Sequence, residues 1–485
     1  MFSSTKNGKN PVAHATGKPQ EHVQVAIRAD VSHLSQNDRH VLSLLIAATR
    51  HINPIYLKQT KQDLESSNGI FDESRGNNYY PEGMTREDVE AYLGKHPEEK
   101  DAIMSPFTVI EKDGDRLVAI PYSKHYREHL MHVSILLEEA ARGTDNDTFR
   151  TFLKNKARAF RTNQYRQSDI DWVRVAGAPL ELTIGPYESY GDQLFGVKRD
   201  IEGMLGVVLP RETVEARVYQ EQVTKFDAHL GQKYGYTAST TLTPMVVIDE
   251  VLAGGHPWYG YVPMAYNLPN DVDIQQEVGS KKVFIRNVMH AKMELITKRI
   301  AEHVLEPRST ALIEPSIFMS FVIGHESSHG LSFRFNGDDF LNLGSPLEEG
   351  KADVFGLIFL YFLAEKGIIR KNVAERAVIG HLTDGLRQIR FGVEEAHAVG
   401  MLIQYNWFLK HRAVQCSGTG LTFNPALFEQ TLNGLGDMFY ALSQTRAHDA
   451  AKQFVGTWGA VPKKVRTMIS LLEKIPVDVD PVFEF

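Results

Sequence analysis

Apolar residues at Val41, Leu44, Leu45 and Ile52 recur at helical spacing within residues 34–66, and Ser35–Asp38 (SQND) offers a start signal, so a helix is predicted there. The Asn/Gly/Pro-rich stretch 68–84 reads as a loop. A helix over 85–95, a short strand pair around DGDR (113–116) and further helix over 124–170 follow, the last with many Arg and Lys on its exposed side. Near residue 172 the pattern changes. LELTIGP, MLGVVLP, TPMVVIDEVLAGG and KKVFIRNV are β-branched runs punctuated by Gly and Pro, as strands are. A charged amphipathic helix over 211–233 lies between them, and from about 286 the pattern is helical almost to the end. The order predicts an α+β fold whose strand-rich part precedes a helical part. The longest apolar runs, LSLLIAA (42–48) and GLIFLYFLA (356–364), are too short to span a bilayer and read as buried helix segments.

Composition narrows this only a little. The 485 residues suit two or three average domains or one large two-lobed unit. A hydrophobic fraction of 42% with 23% charged residues is ordinary for a globular protein with a sizeable core. The net charge of −7 argues against nucleic-acid binding through a general positive field. The first 22 residues are polar, have no apolar segment and read as a flexible tail. The single cysteine, Cys416, excludes an internal disulfide framework and any cysteine-rich metal site, and suits a reducing cytoplasm. A metal in this chain therefore has to use His and carboxylates.

One segment has that chemistry. In GHESSHGL (324–331), His325 and His329 stand four apart, so on a helix both imidazoles lie on one face, with Glu326 between them. This is the H-E-x-x-H spacing of zinc hydrolases, in which the Glu is the general base. A surface helix with a chance match would read the same, so the site needs a third protein ligand. Twenty residues after His329, SPLEEGKADVFGL (345–357) supplies one. Ser345-Pro346 resembles a helix start with acids in the first turn. Glu349 and Asp353 are four apart and share a face. Glu349 is assigned as the third ligand. Asp353 is assigned to accept a hydrogen bond from a ligand imidazole, which fixes its tautomer. Glu348 is either a second such acid or a solvated neighbour. The flanking IFMSFVI makes a buried helix, where His and Glu are costly without a partner. In RFGVEEAHAVGMLIQYNW (390–407), His397 is either a packed helix residue or, near such a site, a donor to an oxyanion.

GPYESYGDQLFG (185–196), AYNLPND (265–271), GHESSHGL, LEEGKADVFGL and FGVEEAHAVG together resemble, in order, the dipeptidyl-peptidase III family of zinc metallopeptidases. The likeness is nearest to short bacterial members and to the hydrolase region of plant Nudix-fused proteins. It implies one zinc ion on His325, His329 and Glu349, with Glu326 as base. It also implies Tyr190 and His397 at the scissile carbonyl, and Glu188, Asn267 and Asn270 around a substrate's free amino terminus. The implied fold has two lobes with a wide cleft, one mainly helical and zinc-bearing, the other with a β-barrel-like core. Mapped onto this chain, the tail covers 1–22, an N-terminal helical region packing on both lobes 23–171, the strand-rich lobe 172–290 and the helical zinc-binding lobe 291–485. The implied activity is release of dipeptides from short peptides in the cytoplasm, with no nucleic-acid or membrane partner. Two other readings stay open: a zinc hydrolase of the same fold acting on a non-peptide amide, ester or lactone, and a non-catalytic zinc protein. The chain departs from the family in its five-residue HExxH, where many members have HExxxH, and in being shorter than the eukaryotic enzymes.

Overall fold

The computed structural model describes residues 22–60, 77–189, 191–192, 194–259, 261–417 and 420–484. All but the last residue of the expected tail lies outside them. Eleven strands are present among these residues: β1 (His22–Arg28), β2 (Thr108–Asp113), β3 (Arg116–Pro121), β4 (Leu180–Glu188), β5 (Asp200–Val208), β6 (Met245–Gly254), β7 (Ala265–Leu268), β8 (Lys281–Ile285), β9 (Val414–Ser417), β10 (Gly420–Phe423) and β11 (Asp478–Glu484). The architecture is α+β and two-lobed.

The helix expected over 34–66 starts where SQND predicts. Ser35 accepts from Asp38 N, and the Asp38 carboxylate accepts from Ser35 N, a reciprocal cap. It is broken, however, into Gln36–Arg50 and Ile52–Gln59 at His51. Pro54 explains the break, because it has no N–H to give the carbonyl four residues back. The helix over 85–95 appears as Arg86–Lys95, again with a reciprocal cap, Thr85 and Asp88. The β2–β3 hairpin spans DGDR. Helices Arg127–Gly143, Asp147–Thr162 and Arg166–Arg174 fill the next segment.

The four expected runs form strands of one sheet, and a fifth strand joins them. The sheet order is β4-β5-β6-β8-β7, antiparallel except between β6 and β8. The expected barrel-like core is an open, curled half-barrel with β4 and β7 at its edges. The extra strand is β7, formed by AYNL, which periodicity does not mark because only four residues pair. A parallel pair joining β1 to β11 was also not anticipated. Its partners lie 456 residues apart, and Pro481 inside β11 reads as a breaker when the segment is considered alone.

Behind the sheet, helices Pro315–Ser328, Gly344–Glu365, Lys371–Ile389 and Ala396–Lys410 pack into the helical lobe. Gly344–Glu365 is buried along most of its length, which is why its sequence is apolar all round. It crosses Pro315–Ser328 at Gly324 and Gly356. A Cβ on Gly324 would stand 2.7 Å from the Gly356 carbonyl oxygen, and one on Gly356 2.6 Å from His325 N. Backbone meets backbone there, and any side chain would hold the helices apart. A second crossing pairs Gly350 with Gly400 of Ala396–Lys410, where a Cβ on either would come within 3.2 Å of the other's backbone. Both crossings flank the residues of the candidate site. Among the described residues no helix is long and apolar enough to cross a membrane.

Candidate metal centre

GHESSHGL closes the helix Pro315–Ser328, with His329 as its C-cap and still helical at φ −61°, ψ −27°. One turn therefore separates His325 from His329, and their rings meet edge to face with centroids 4.8 Å apart. The two Nε2 atoms approach to 3.1 Å. Each Nδ1 already has a carboxylate. Asp353 Oδ1 lies 2.8 Å from His325 Nδ1, and Glu348 Oε1 lies 3.2 Å from His329 Nδ1. A carboxylate only accepts, so these contacts place the proton of each neutral imidazole on Nδ1 and leave a lone pair on Nε2.

Glu349 completes the set. Its Oε2 is 3.4 Å from His325 Nε2 and 3.6 Å from His329 Nε2. That oxygen is buried and has no hydrogen-bond partner. Two facing nitrogen lone pairs and an orphaned carboxylate oxygen repel one another unless a cation lies between them. The donor set, two imidazoles and one carboxylate, is the one zinc takes in hydrolytic sites. The residues fit the metal. The local field agrees: burial alone would lower the His325 pKa, but hydrogen bonds and charge from Asp353 and Glu349 raise it well above its ordinary value. The pocket attracts positive charge. His96, Glu98 and Glu99 also approach one another, but at the surface, and Glu99 is already paired with Tyr92 and Arg116.

A buried network behind the ligands holds their orientation. Asp353 Oδ2 accepts from Gln404 Nε2 at 2.9 Å, and Gln404 Oε1 faces His381 Nε2 at 2.9 Å. Glu348 accepts from Lys351 Nζ at 2.6 Å and from Phe335 N at 3.0 Å. Burial would raise its carboxyl, yet Lys351 and His329 hold it at about 2. Glu348 is thus the orienting acid of His329, not a solvated neighbour. Gln404, His381 and Lys351 were missed from the sequence. The signal existed, in polar residues within otherwise apolar helices, but it does not say what they face.

His397 stands at the start of Ala396–Lys410, with Nδ1 3.4 Å from Glu349 Oε2. Its side chain is 47% exposed, which leaves it free to meet a ligand. Glu326 is half-buried on the motif helix, and its charge is felt by Lys282 of β8.

The residues matched to an amino-terminus site divide in two. Asn270 Nδ2 donates to Glu188 Oε1 at 3.0 Å, which leaves the Asn270 oxygen open. Asn267 instead meets Lys282, whose Nζ donates to its Oδ1 at 3.1 Å. Tyr190 lies outside the described residues. Sequence reasoning also missed Glu202, a buried acid in the apolar strand β5. Burial raises the Glu188 carboxyl, although Asn270 and Arg199 oppose this. Burial, with Glu188 and Asp200 close by, raises Glu202 well above its usual range. Two carboxyls close enough to raise each other's proton affinity would be eased by a positive charge between them.

The profile of Peptidase family M49 matches residues 95–331 of this chain, ending two residues after the second motif histidine. Nudix hydrolase 3 of Arabidopsis thaliana is 28% identical over 443 residues, which are 84% of this chain and 57% of that protein. Dipeptidyl peptidase 3 of Nematostella vectensis is 29% identical over 164 residues, 32% of this chain and 21% of the relative. The chain thus spans less than two thirds of the length of these curated relatives. Among solved structures, DPP III from Caldithrix abyssi superposes with a TM-score of 0.90 at 29% identity, over 96% of this chain and 98% of that one. Dipeptidyl-peptidase III from Corallococcus sp. strain EGB superposes with a TM-score of 0.82 at 26% identity, over 95% of each chain.

Proposed function

Because the chain belongs to the dipeptidyl-peptidase III family, peptidase family M49, we propose that it is a zinc-dependent exopeptidase releasing dipeptides from the free amino terminus of short peptides. The observation that carries the reading is the convergence of His325 Nε2, His329 Nε2 and the orphaned Glu349 Oε2 on one point. One zinc ion held there would supply Lewis acidity and lower the pKa of a water in the site.

The chain's own groups do the rest. Glu326, between the two histidines of the motif, takes the attacking water's proton and returns it to the leaving amine. His397 donates to the carbonyl oxygen as it gains charge, and Tyr190 is assigned to the same oxygen. Glu188, Glu202 and the Asn270 oxygen take the substrate's ammonium. Fixing that end sets how many residues lie between the amino terminus and the cut. The one cysteine, Cys416, is buried and free, which suits work in the cytoplasm.

The test is incubation of zinc-loaded protein with a peptide library, cleavage positions being read by mass spectrometry. The expected result is uniform release of two residues from free amino termini and none from acetylated ones. Internal cuts at many positions, or equal cleavage of acetylated peptides, would overturn the reading. The absence of any cleavage would favour the non-peptide hydrolase.

A further inference from the structure

Asp227 is a buried acid in the interior of the helix Pro210–Tyr234, and the reaction above does not use it. That helix runs between β5 and β6 of the sheet, yet it packs on the helical lobe. Phe226 sets its ring against Phe359 and Phe362 of Gly344–Glu365, and Tyr219 bonds Ser320 of Pro315–Ser328 at 3.0 Å. The Asp227 carboxylate is met by donors from outside its own helix. Oδ1 accepts from the Tyr236 hydroxyl at 2.8 Å and from Ser332 N at 3.2 Å. Oδ2 accepts from the Ser332 hydroxyl and from Thr240 N at 3.3 Å. The Thr240 hydroxyl reaches Oδ2 and the Gly330 carbonyl equally, at 2.7 Å. Burial would raise the Asp227 carboxyl, but the bonds from Ser332, Thr240 and Tyr236 hold it below its ordinary value.

Ser332 belongs to the segment that leaves the metal centre. Residues 330–336, directly after His329, are neither helix nor strand. Backbone groups in such a segment need partners from elsewhere. Ser332 N has Asp227, the Phe333 carbonyl has Lys351 Nζ at 3.3 Å, and Phe335 N has Glu348 Oε2 at 3.0 Å. Glu348 turns its other oxygen to His329 Nδ1. The segment thus begins at a metal ligand and ends at the acid that orients that ligand, with Ser332 between them. Phe333 is seated against Phe355 and Tyr440. Apolar contacts of that kind are not directional, so they do not set where the segment lies along its own axis. Hydrogen bonds do, and Asp227 supplies those at Ser332.

We propose that Asp227 is a positioning residue of the metal centre: it pins Ser332, fixes the segment 330–335, and through Phe335 keeps Glu348 on His329. The proposal rests on the zinc reading of His325, His329 and Glu349, and it is independent of which substrate is cut. It adds that the second histidine is held from a helix that contributes no ligand. Because Pro210–Tyr234 runs between two strands of the sheet, the sheet and that histidine share one support.

The test measures zinc affinity, by competition with a chromogenic chelator, and the visible absorption of the cobalt-substituted protein. The variants are Asp227→Asn, Ser332→Ala and Asp478→Ala, with the unfolding midpoint of each. Asp227→Asn keeps the size of the side chain, but either orientation of the amide sets its NH2 against a backbone N–H, that of Ser332 or of Thr240. Zinc affinity should fall by about 10-fold, the low end of the loss when an outer partner of a zinc ligand is removed. The cobalt bands should shift as Glu348 releases the His329 ring. Ser332→Ala removes one donor and should move both readouts the same way by less. Asp478→Ala breaks the buried ion pair with Lys292 on β11, off this line of contacts, and should lower the midpoint with wild-type affinity and bands. Wild-type affinity and bands in Asp227→Asn would overturn the proposal, whatever its midpoint. So would an affinity that follows the midpoint alike in Asp227→Asn and Asp478→Ala, which is what general loosening gives. If Asp227→Asn does not fold, wild-type affinity and bands in Ser332→Ala overturn it alone. Adding Asp227→Asn to Glu348→Gln should cost little more than Glu348→Gln by itself, because both act on one contact, and additive losses would also sink it. Wild-type protein that binds no zinc overturns the metal reading as well. A zinc-binding wild type with an unaltered Asp227→Asn overturns only the role of Asp227.

Discussion

An imidazole has two nitrogens, and which one is left for a metal depends on what holds the other. Asp353 and Glu348 decide this for His325 and His329, and Gln404 in turn holds Asp353. Asp353→Asn gives the His325 ring an amide that can donate, so the wrong tautomer becomes accessible. Zinc affinity should fall by about 10- to 100-fold, read by competition with a chromogenic chelator. Unchanged affinity would reduce Asp353 to a packing role. Glu326→Gln should keep the metal and lower turnover by roughly 10²–10⁴-fold, whereas Glu349→Ala should lower zinc stoichiometry itself. Elemental analysis beside an activity assay separates the two outcomes. The paired acids predict a pH dependence. Glu188 and Glu202 both titrate above their ordinary 4.5, Glu202 well above it. Carboxyls raised in this way are neutral in acid and gain charge as pH climbs, so capture of an ammonium improves with pH. It weakens again where the substrate's amino group loses its proton, at about 8. Glu202→Gln removes one of the two titrations, and the acid limb of kcat/KM should change shape. An identical limb would exclude Glu202 from the ammonium site.

At the scale of elements, the site is a product of two helix crossings. The ligands come from Pro315–Ser328 and Gly344–Glu365, and they meet because Gly324 and Gly356 let the two backbones touch. Gly350 and Gly400 do the same for the helix that presents His397. Gly356→Ala would place a methyl group against His325 N. The helices would have to part, and overpacking of this kind costs about 1–3 kcal/mol. The prediction is a lower unfolding midpoint together with weaker zinc binding. A stability loss with zinc affinity intact would show that the ligands tolerate a wider crossing. The break at His51 shows the same dependence on backbone detail, since one proline divides what periodicity reads as a continuous helix.

Across the whole molecule, β1 and β11 tie the two ends of the described chain together. The tie is anchored by Lys292–Asp478, an ion pair at 2.7 Å with both side chains 1% exposed, and by Phe483 stacked on Trp258. Asp478→Ala would leave Lys292 buried without its carboxylate, at a cost of about 3–5 kcal/mol in chemical denaturation. The pair also carries a pH signature. Burial raises the Asp478 carboxyl, but Lys292 and Arg387 outweigh it and hold it below 3.8. Its contribution is complete above pH 3.8 and is lost as pH falls through the lowered value. Wild type should therefore lose stability in acid more steeply than Asp478→Ala. Parallel slopes would mean that the pair is not what holds the ends.

Local chemistry was legible without coordinates. The helix start at SQND, the hairpin at DGDR, the four long strands and the histidine spacing all depend on residues a few positions apart, and their patterns are written in order along the chain. Glu349 and Asp353 were within reach for the same reason, since four residues make one helical turn. What the sequence by itself left undetermined was every relation that closes over distance. The edge strand β7, the union of β1 with β11, the glycine crossings, the Gln404–His381 support and the pairing of Lys282 with Asn267 join residues 13 to 456 positions apart. No periodicity encodes such a pairing, because its partners become neighbours only when burial of apolar surface brings their elements together. The sequence determined that this chain carries two histidines one helical turn apart with an acid between them, and a carboxylate twenty residues on, in the spacing of metal ligands and a base. The tertiary structure decided which nitrogen, which oxygen and which amide hydrogen each residue has to offer.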